Sequence, residues 1–158
     1  MLYTKNSYNS GISTALIQGS LDGRALPINA QRTLEQIQTP PNALITLEGV
    51  NHFGITNVNT PDGSIPDPNT QIISQADSIE TVARWSGLFL KGTILEDSEA
   101  LEYVFDSGAS SDPIVISVKG QSGRQVAKPV PEPLSLAGLL SGLICLIYTR
   151  KRPAVQEN

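Results

Sequence analysis

Two short apolar runs, each ending in a glycine turn and joined by one helical stretch, constrain this chain more than anything else in it. The later run, Ala43-Leu44-Ile45-Thr46-Leu47, is rich in branched residues and bounded by Pro41 and Gly49, the pattern of a buried strand. The earlier run, Ala15-Leu16-Ile17, passes through Gln18 into the tight turn Gly19-Ser20-Leu21-Asp22-Gly23. Between them, Leu26–Gln38 places Ile28, Ala30, Leu34 and Ile37 roughly on one helical face, with Pro27 suited to the first turn. Strand, helix, strand is a crossover unit, which predicts that Ala15–Gln18 and Ala43–Leu47 lie parallel and side by side in an α/β fold.

Parallel strands deliver their carboxyl ends to one sheet edge, where open α/β sheets place their sites. Asp22 follows the first strand and His52 follows the second, in Asn51-His52-Phe53-Gly54. His52 is the only histidine of the chain. A carboxylate beside an imidazole can hold one ring nitrogen and fix the tautomer, leaving the other nitrogen to act as a base. Asp22 and His52 are therefore the candidate catalytic residues. As a bland alternative, His52 is a hydrogen-bonded loop residue.

The paired turns Ile17-Gln18-Gly19-Ser20-Leu21-Asp22-Gly23 and Leu47-Glu48-Gly49-Val50-Asn51-His52-Phe53-Gly54 resemble the last two strands of an α/β-hydrolase. Within that family they are most similar to the dienelactone hydrolase and chlorophyllase-like branch. The resemblance covers roughly residues 13–107. It implies that Asp22 matches the triad acid and His52 the triad base, in the order nucleophile, acid, histidine. It also implies a serine on a G-x-S-x-G elbow well upstream of the acid. Gly11-Ile12-Ser13-Thr14-Ala15 leads into a strand instead of following one, and Gly120-Gln121-Ser122-Gly123 comes after the histidine. The expectation is the carboxyl-terminal part of a hydrolase sheet, its last two strands with their helices, holding two triad members and no nucleophile.

The remaining stretches qualify that picture. The 158 residues have room for one domain. A net charge of −4 with scattered cations offers no footprint for nucleic acid, and a single cysteine excludes an internal disulfide. Met1–Ser13 is polar and lacks the apolar core of a secretory signal peptide. Val58–Gln71 is a Pro-, Asp- and Asn-rich surface or lid loop. Its Asp62 and Asp67 do not fit the spacing of a calcium loop, so neither a metal nor a cofactor is expected. Ser74–Lys91 predicts an amphipathic helix capped by Ser74 with Asp77, with Ile79, Val82, Ala83, Phe89 and Leu90 sharing a face. Trp85 is expected in the core, with a substrate-pocket wall as the sharper alternative. Asp97 or Ser98 caps a second helix over Glu99–Phe105, Ile114–Val118 is a last strand or an extended edge, and Lys119–Lys128 is a linker.

Pro131-Glu132-Pro133 is followed by the uncharged run Leu134–Tyr148 and then Arg150-Lys151-Arg152. That order resembles a PEP-CTERM sorting segment, a resemblance confined to residues 130–152, and it implies export and handling by an exosortase. The apolar run, expected to be a C-terminal hydrophobic helix, falls between a signal-type segment and a comfortable membrane span, which suits a processed anchor. Under the positive-inside rule the basic cluster stays cytoplasmic and residues 1–130 face outward. The expected plan is a partial hydrolase domain over 1–107, an edge strand and linker over 108–129, the sorting segment over 130–152 and a tail over 153–158. Export without a leader suggests a truncated or split product. The expected function is an exported, esterase-like hydrolase part that is inactive alone, associated with the membrane and destined for the bacterial surface. Its partners would be exosortase and, once completed, a small ester. The alternative is a non-catalytic, surface-anchored structural or binding protein.

Overall fold

The computed structural model describes residues 11–123. The sorting motif, Pro131, Glu132, Pro133, Arg150, Lys151 and Arg152, and the apolar run Leu134–Tyr148 lie outside them. Among the described residues no helix is long and apolar enough to cross a membrane.

The chain order is β1 (Thr14–Gly19), α1 (Pro27–Leu34), β2 (Asn42–Leu47), α2 (Gln75–Ile94), α3 (Ser98–Glu102), a π-helical turn (Tyr103–Ser107), α4 (Gly108–Ser111) and β3 (Val115–Gln121). The strands form one mixed sheet in the order β1-β2-β3. β1 and β2 are parallel, with Thr14 opposite Asn42 and Gly19 opposite Leu47, as the crossover predicts. Both strands therefore end at the same edge, and the turns carrying Asp22 and His52 leave the sheet side by side.

β2 is the buried middle strand. Side chains alternate across a strand, so Ala43, Ile45 and Leu47 share one face and Leu44 takes the other, and all four are buried. The first face joins the main core with Val82, Trp85 and Phe89 of α2, Val104 of the π turn and Val115 of β3. On the other side, α1 packs against β1 and β2. The result is an α/β arrangement of a small mixed sheet with helices.

Four expectations change. α1 ends at Leu34 and contains no fully buried residue. Ala30, Leu34 and Ile37 are half-buried, and Ile28 is exposed. β1 is the sheet's edge among the described residues, so α1 meets only two strands and its apolar face is only partly covered.

α2 runs further than predicted, to Ile94, and its inward face keeps the predicted Val82 and Phe89 but is rotated away from Ala83 and Leu90. Ser78, Thr81, Val82, Trp85, Phe89 and Gly92 are buried, whereas Ala83 and Leu90 are exposed. Small residues are needed there: the Ser78 hydroxyl donates to the Gly54 carbonyl at 2.7 Å, and Gly92 leaves room for Leu101. The N-cap is as expected, with Ser74 accepting from the Asp77 N–H. The predicted helix over Glu99–Phe105 is broken into α3 and the π turn, with Asp97 as its cap.

β3 reaches Gln121 and absorbs Lys119-Gly120-Gln121, the start of the predicted linker. It pairs antiparallel with β2, and Asn42 accepts a bond from the Gln121 N–H at 3.2 Å. Gly120, at φ 143°, makes this pairing possible, because a Cβ there would lie 1.9 Å from the Asn42 carbonyl oxygen. Trp85 is fully buried and belongs to the core, not to a pocket wall. Its indole N–H donates to Asp112 at 2.6 Å, and Arg84 reaches the same carboxylate oxygen at 2.8 Å.

Candidate acid–base site

The site begins where the two parallel strands stop. Beyond Gly19, the Ser20 N–H donates to the Leu47 carbonyl at 2.8 Å and the Leu21 N–H to the Val50 carbonyl at 2.9 Å. The Gly49 N–H returns a bond to the Ser20 hydroxyl at 2.9 Å. Gly49 sits at φ 69°, in the left-handed region that glycine enters without strain. Gly19 must also be glycine, since a Cβ there would lie 2.2 Å from the Val50 carbonyl oxygen. Backbone is thus packed directly on backbone, and the two turns travel as a unit.

From these turns the two predicted residues meet. His52 Nδ1 lies 3.2 Å from Asp22 Oδ1 and 3.1 Å from Oδ2, within hydrogen-bond reach of both. The Asp22 side chain is 10% exposed and the His52 side chain 39% exposed. The carboxylate is therefore shielded while the imidazole opens to solvent. Asp22 Oδ1 also accepts from the N–H groups of Arg24 at 3.0 Å and Ala25 at 2.7 Å. Those bonds fix the carboxylate in the turn, independently of the imidazole. Phe53 meets the His52 ring edge-on at 5.2 Å between centroids.

With Nδ1 directed at a carboxylate, the neutral ring carries its proton on Nδ1 and presents Nε2 as the basic atom. The cleft beside this pair encloses about 360 Å³, part of it open to solvent. Ile17, Leu47, Val50, Ile55 and Val82 give it an apolar lining, with Asp22, Asn51 and His52 at its polar end. Among the described residues no serine, threonine or cysteine lines it. Ser20 is engaged with Gly49, and Ser13 precedes β1 and so lies at the opposite edge of the sheet. No cluster of three or more histidine, cysteine or carboxylate side chains suited to a metal occurs among the described residues.

The β2–α2 loop contains the residues that the sequence reading missed. Asp67, dismissed there as a calcium ligand, accepts the His52 N–H at 2.9 Å and the Gly23 N–H at 3.1 Å, both on Oδ2. Its Oδ1 takes the Asn69 N–H at 2.7 Å, a local turn signalled by the Asp-Pro-Asn sequence. Burial raises the Asp67 pKa, but the N–H groups of Asn69, His52 and Gly23 and the nearby imidazole outweigh it, so the carboxyl titrates below its usual range. Asn51, itself buried, ties the histidine turn to the same loop through Asn59 Oδ1 at 3.0 Å and the Asn69 carbonyl at 3.1 Å.

Comparison with known proteins finds no matching family model, no similar curated protein and no similar solved structure.

Proposed function

We propose that Asp22 and His52 are the acid and base of a serine-hydrolase-type site, with Asp22 orienting His52 and His52 Nε2 the proton acceptor. The observation that carries this reading is the contact of Nδ1 with both Asp22 oxygens, at the shared carboxyl edge of two parallel strands. In such chemistry the base takes a hydroxyl proton as the oxygen attacks an ester carbonyl, and returns it to the leaving alcohol. Among the described residues the cleft supplies apolar contacts for an uncharged ester but no hydroxyl or thiol nucleophile. The site is half of a catalytic constellation. It agrees with the resemblance of these turns to the dienelactone hydrolase and chlorophyllase-like branch of the α/β-hydrolases. The tail, by its own resemblance, marks the chain for exosortase handling, membrane association and the bacterial surface.

A nitrophenyl-ester assay on the full chain, beside His52→Ala, tests the missing nucleophile. The expected result is background hydrolysis in both proteins. Turnover abolished by the substitution would show that the nucleophile is present and that its place in this account is wrong.

A second reading is that the chain is a non-catalytic, surface-anchored structural or binding protein. It is favoured by the bonds from Arg24 and Ala25 to Asp22, which give the carboxylate a purely local purpose as a turn cap.

A further inference from the structure

The loop after β2 reaches both turns of the site, and this inference rests on the acid–base reading of Asp22 and His52. We propose that Asp67 is a positioning residue, whose carboxylate fixes the separation of the acid and base by bridging the tips of their two turns.

The direct backbone bonds join the turns at their bases, between Ser20 and Leu47 and between Leu21 and Val50. Nothing in that set reaches the tips, where the Asp22 and His52 side chains emerge. Asp67 does, across sequence distances that no local turn could span. It accepts from Gly23, the residue after the acid, with Oδ1 at 3.2 Å and Oδ2 at 3.1 Å. It accepts from the backbone of the base itself with Oδ2 at 2.9 Å. One carboxylate thus fixes both backbones immediately beside the functional side chains.

The rest of the loop holds that carboxylate in place. The Asn69 side chain donates to the Leu21 carbonyl at 2.9 Å, and Asn69 closes the turn on Asp67 Oδ1. At Gly23 the loop comes so close that a Cβ would lie 2.5 Å from Pro68 and 2.8 Å from Asp67 Oδ1. Asp67 never meets the cleft directly: Asp22 and His52 line it and Asp67 does not. Its action is therefore on geometry, through the two N–H groups.

The test uses the full chain, labelled with ¹⁵N at its single histidine, in wild type, Asp67→Ala, Asp67→Asn and the exposed-loop control Asp62→Ala. The readout is the ratio of Nδ1–H to Nε2–H tautomer of neutral His52, with Trp85 emission reporting the core separately. Asp67→Ala should lower that ratio about tenfold, the scale of one charge-assisted hydrogen bond, while Trp85 emission stays that of a buried indole. Asp67→Asn keeps one acceptor oxygen and should fall between it and wild type. Asp62→Ala should match wild type.

An unchanged ratio in Asp67→Ala would overturn the proposal while leaving the acid–base reading intact. A wild-type ratio that already favours Nε2–H would instead sink that reading. If Asp67→Ala also loses the core signal, Asp67→Asn decides: a folded core with an unchanged ratio refutes the positioning role.

Discussion

Asp112→Ala should be among the most damaging single substitutions in the described domain, although Asp112 lies outside the site. Its side chain is 1% exposed and its oxygens are fully committed. Oδ2 accepts from Trp85 Nε1 at 2.6 Å and from Arg84 Nη1 at 2.8 Å, and Oδ1 accepts from the Ile114 N–H at 2.9 Å. Bonds to a charged acceptor contribute about 1.5–3 kcal/mol each, and a buried donor left unsatisfied costs about 1–3 kcal/mol. Arg84 is partly exposed and keeps Glu80, so its loss is largely recovered by water. The fully buried indole N–H cannot be rehydrated so easily. The balance is about 3–5 kcal/mol, the range expected when one partner of a buried pair is removed. That is a large share of the roughly 5–15 kcal/mol available to a small domain. The chain's only tryptophan is the bond partner itself, so urea unfolding followed by Trp85 emission reads the perturbed site directly. A loss below about 1 kcal/mol would refute the reasoning, because it would mean that the carboxylate's three bonds are dispensable.

Acid stability follows from the same carboxylates. Burial raises the Asp112 pKa, but the bonds from Trp85, Ile114 and Arg84 outweigh it and the folded value is depressed; Asp67 is depressed likewise. Each stabilises the fold above the unfolded value of about 3.9, and that contribution is lost as pH falls through the lower folded value. Unfolding followed across that acid window should be less steep in pH for Asp112→Asn than for wild type; identical slopes would contradict the assignment. Gly19→Ala should destabilise the domain by about 1–3 kcal/mol or more, because its Cβ would fall 2.2 Å from the Val50 carbonyl oxygen. The same urea titration measures it, and a neutral result would show that the two turns can separate at no cost.

Much of the site was legible because its signals are local. The branched run Ala43–Leu47, the glycine turns and the intervening helix fix a parallel pair, and that pairing brings Asp22 to His52. Asp67 was not legible, because its partners are backbone N–H groups of Gly23 and His52, and an amide donor leaves no mark in the sequence. Only Asp67-Pro68-Asn69 hinted at a local turn, and the same aspartates suggested calcium. Val82, Trp85 and Phe89 of α2 face inward as expected, but the rest of its inward face was misjudged for a related reason. Hydrophobicity pointed to Ala83 and Leu90, but the tight approach of the Gly54 backbone selects Ser78. β3 was cut short because Gly120 resembles a linker residue, although its absent side chain is what admits the Asn42 carbonyl.

The most direct test of the acid–base pair is the tautomer of neutral His52, read by ¹⁵N NMR of the full chain well above the ordinary histidine value of about pH 6.5. Wild type should carry its proton on Nδ1, held by Asp22, with Nε2 free to act as the base. In Asp22→Asn the carbonyl remains bonded to the Arg24 and Ala25 N–H groups, so the new amide turns its NH₂ toward Nδ1. The ring should then move its proton to Nε2 and lose its basic face. A wild-type ring protonated on Nε2, unchanged by Asp22→Asn, would show that Asp22 only caps its turn and would contradict the account.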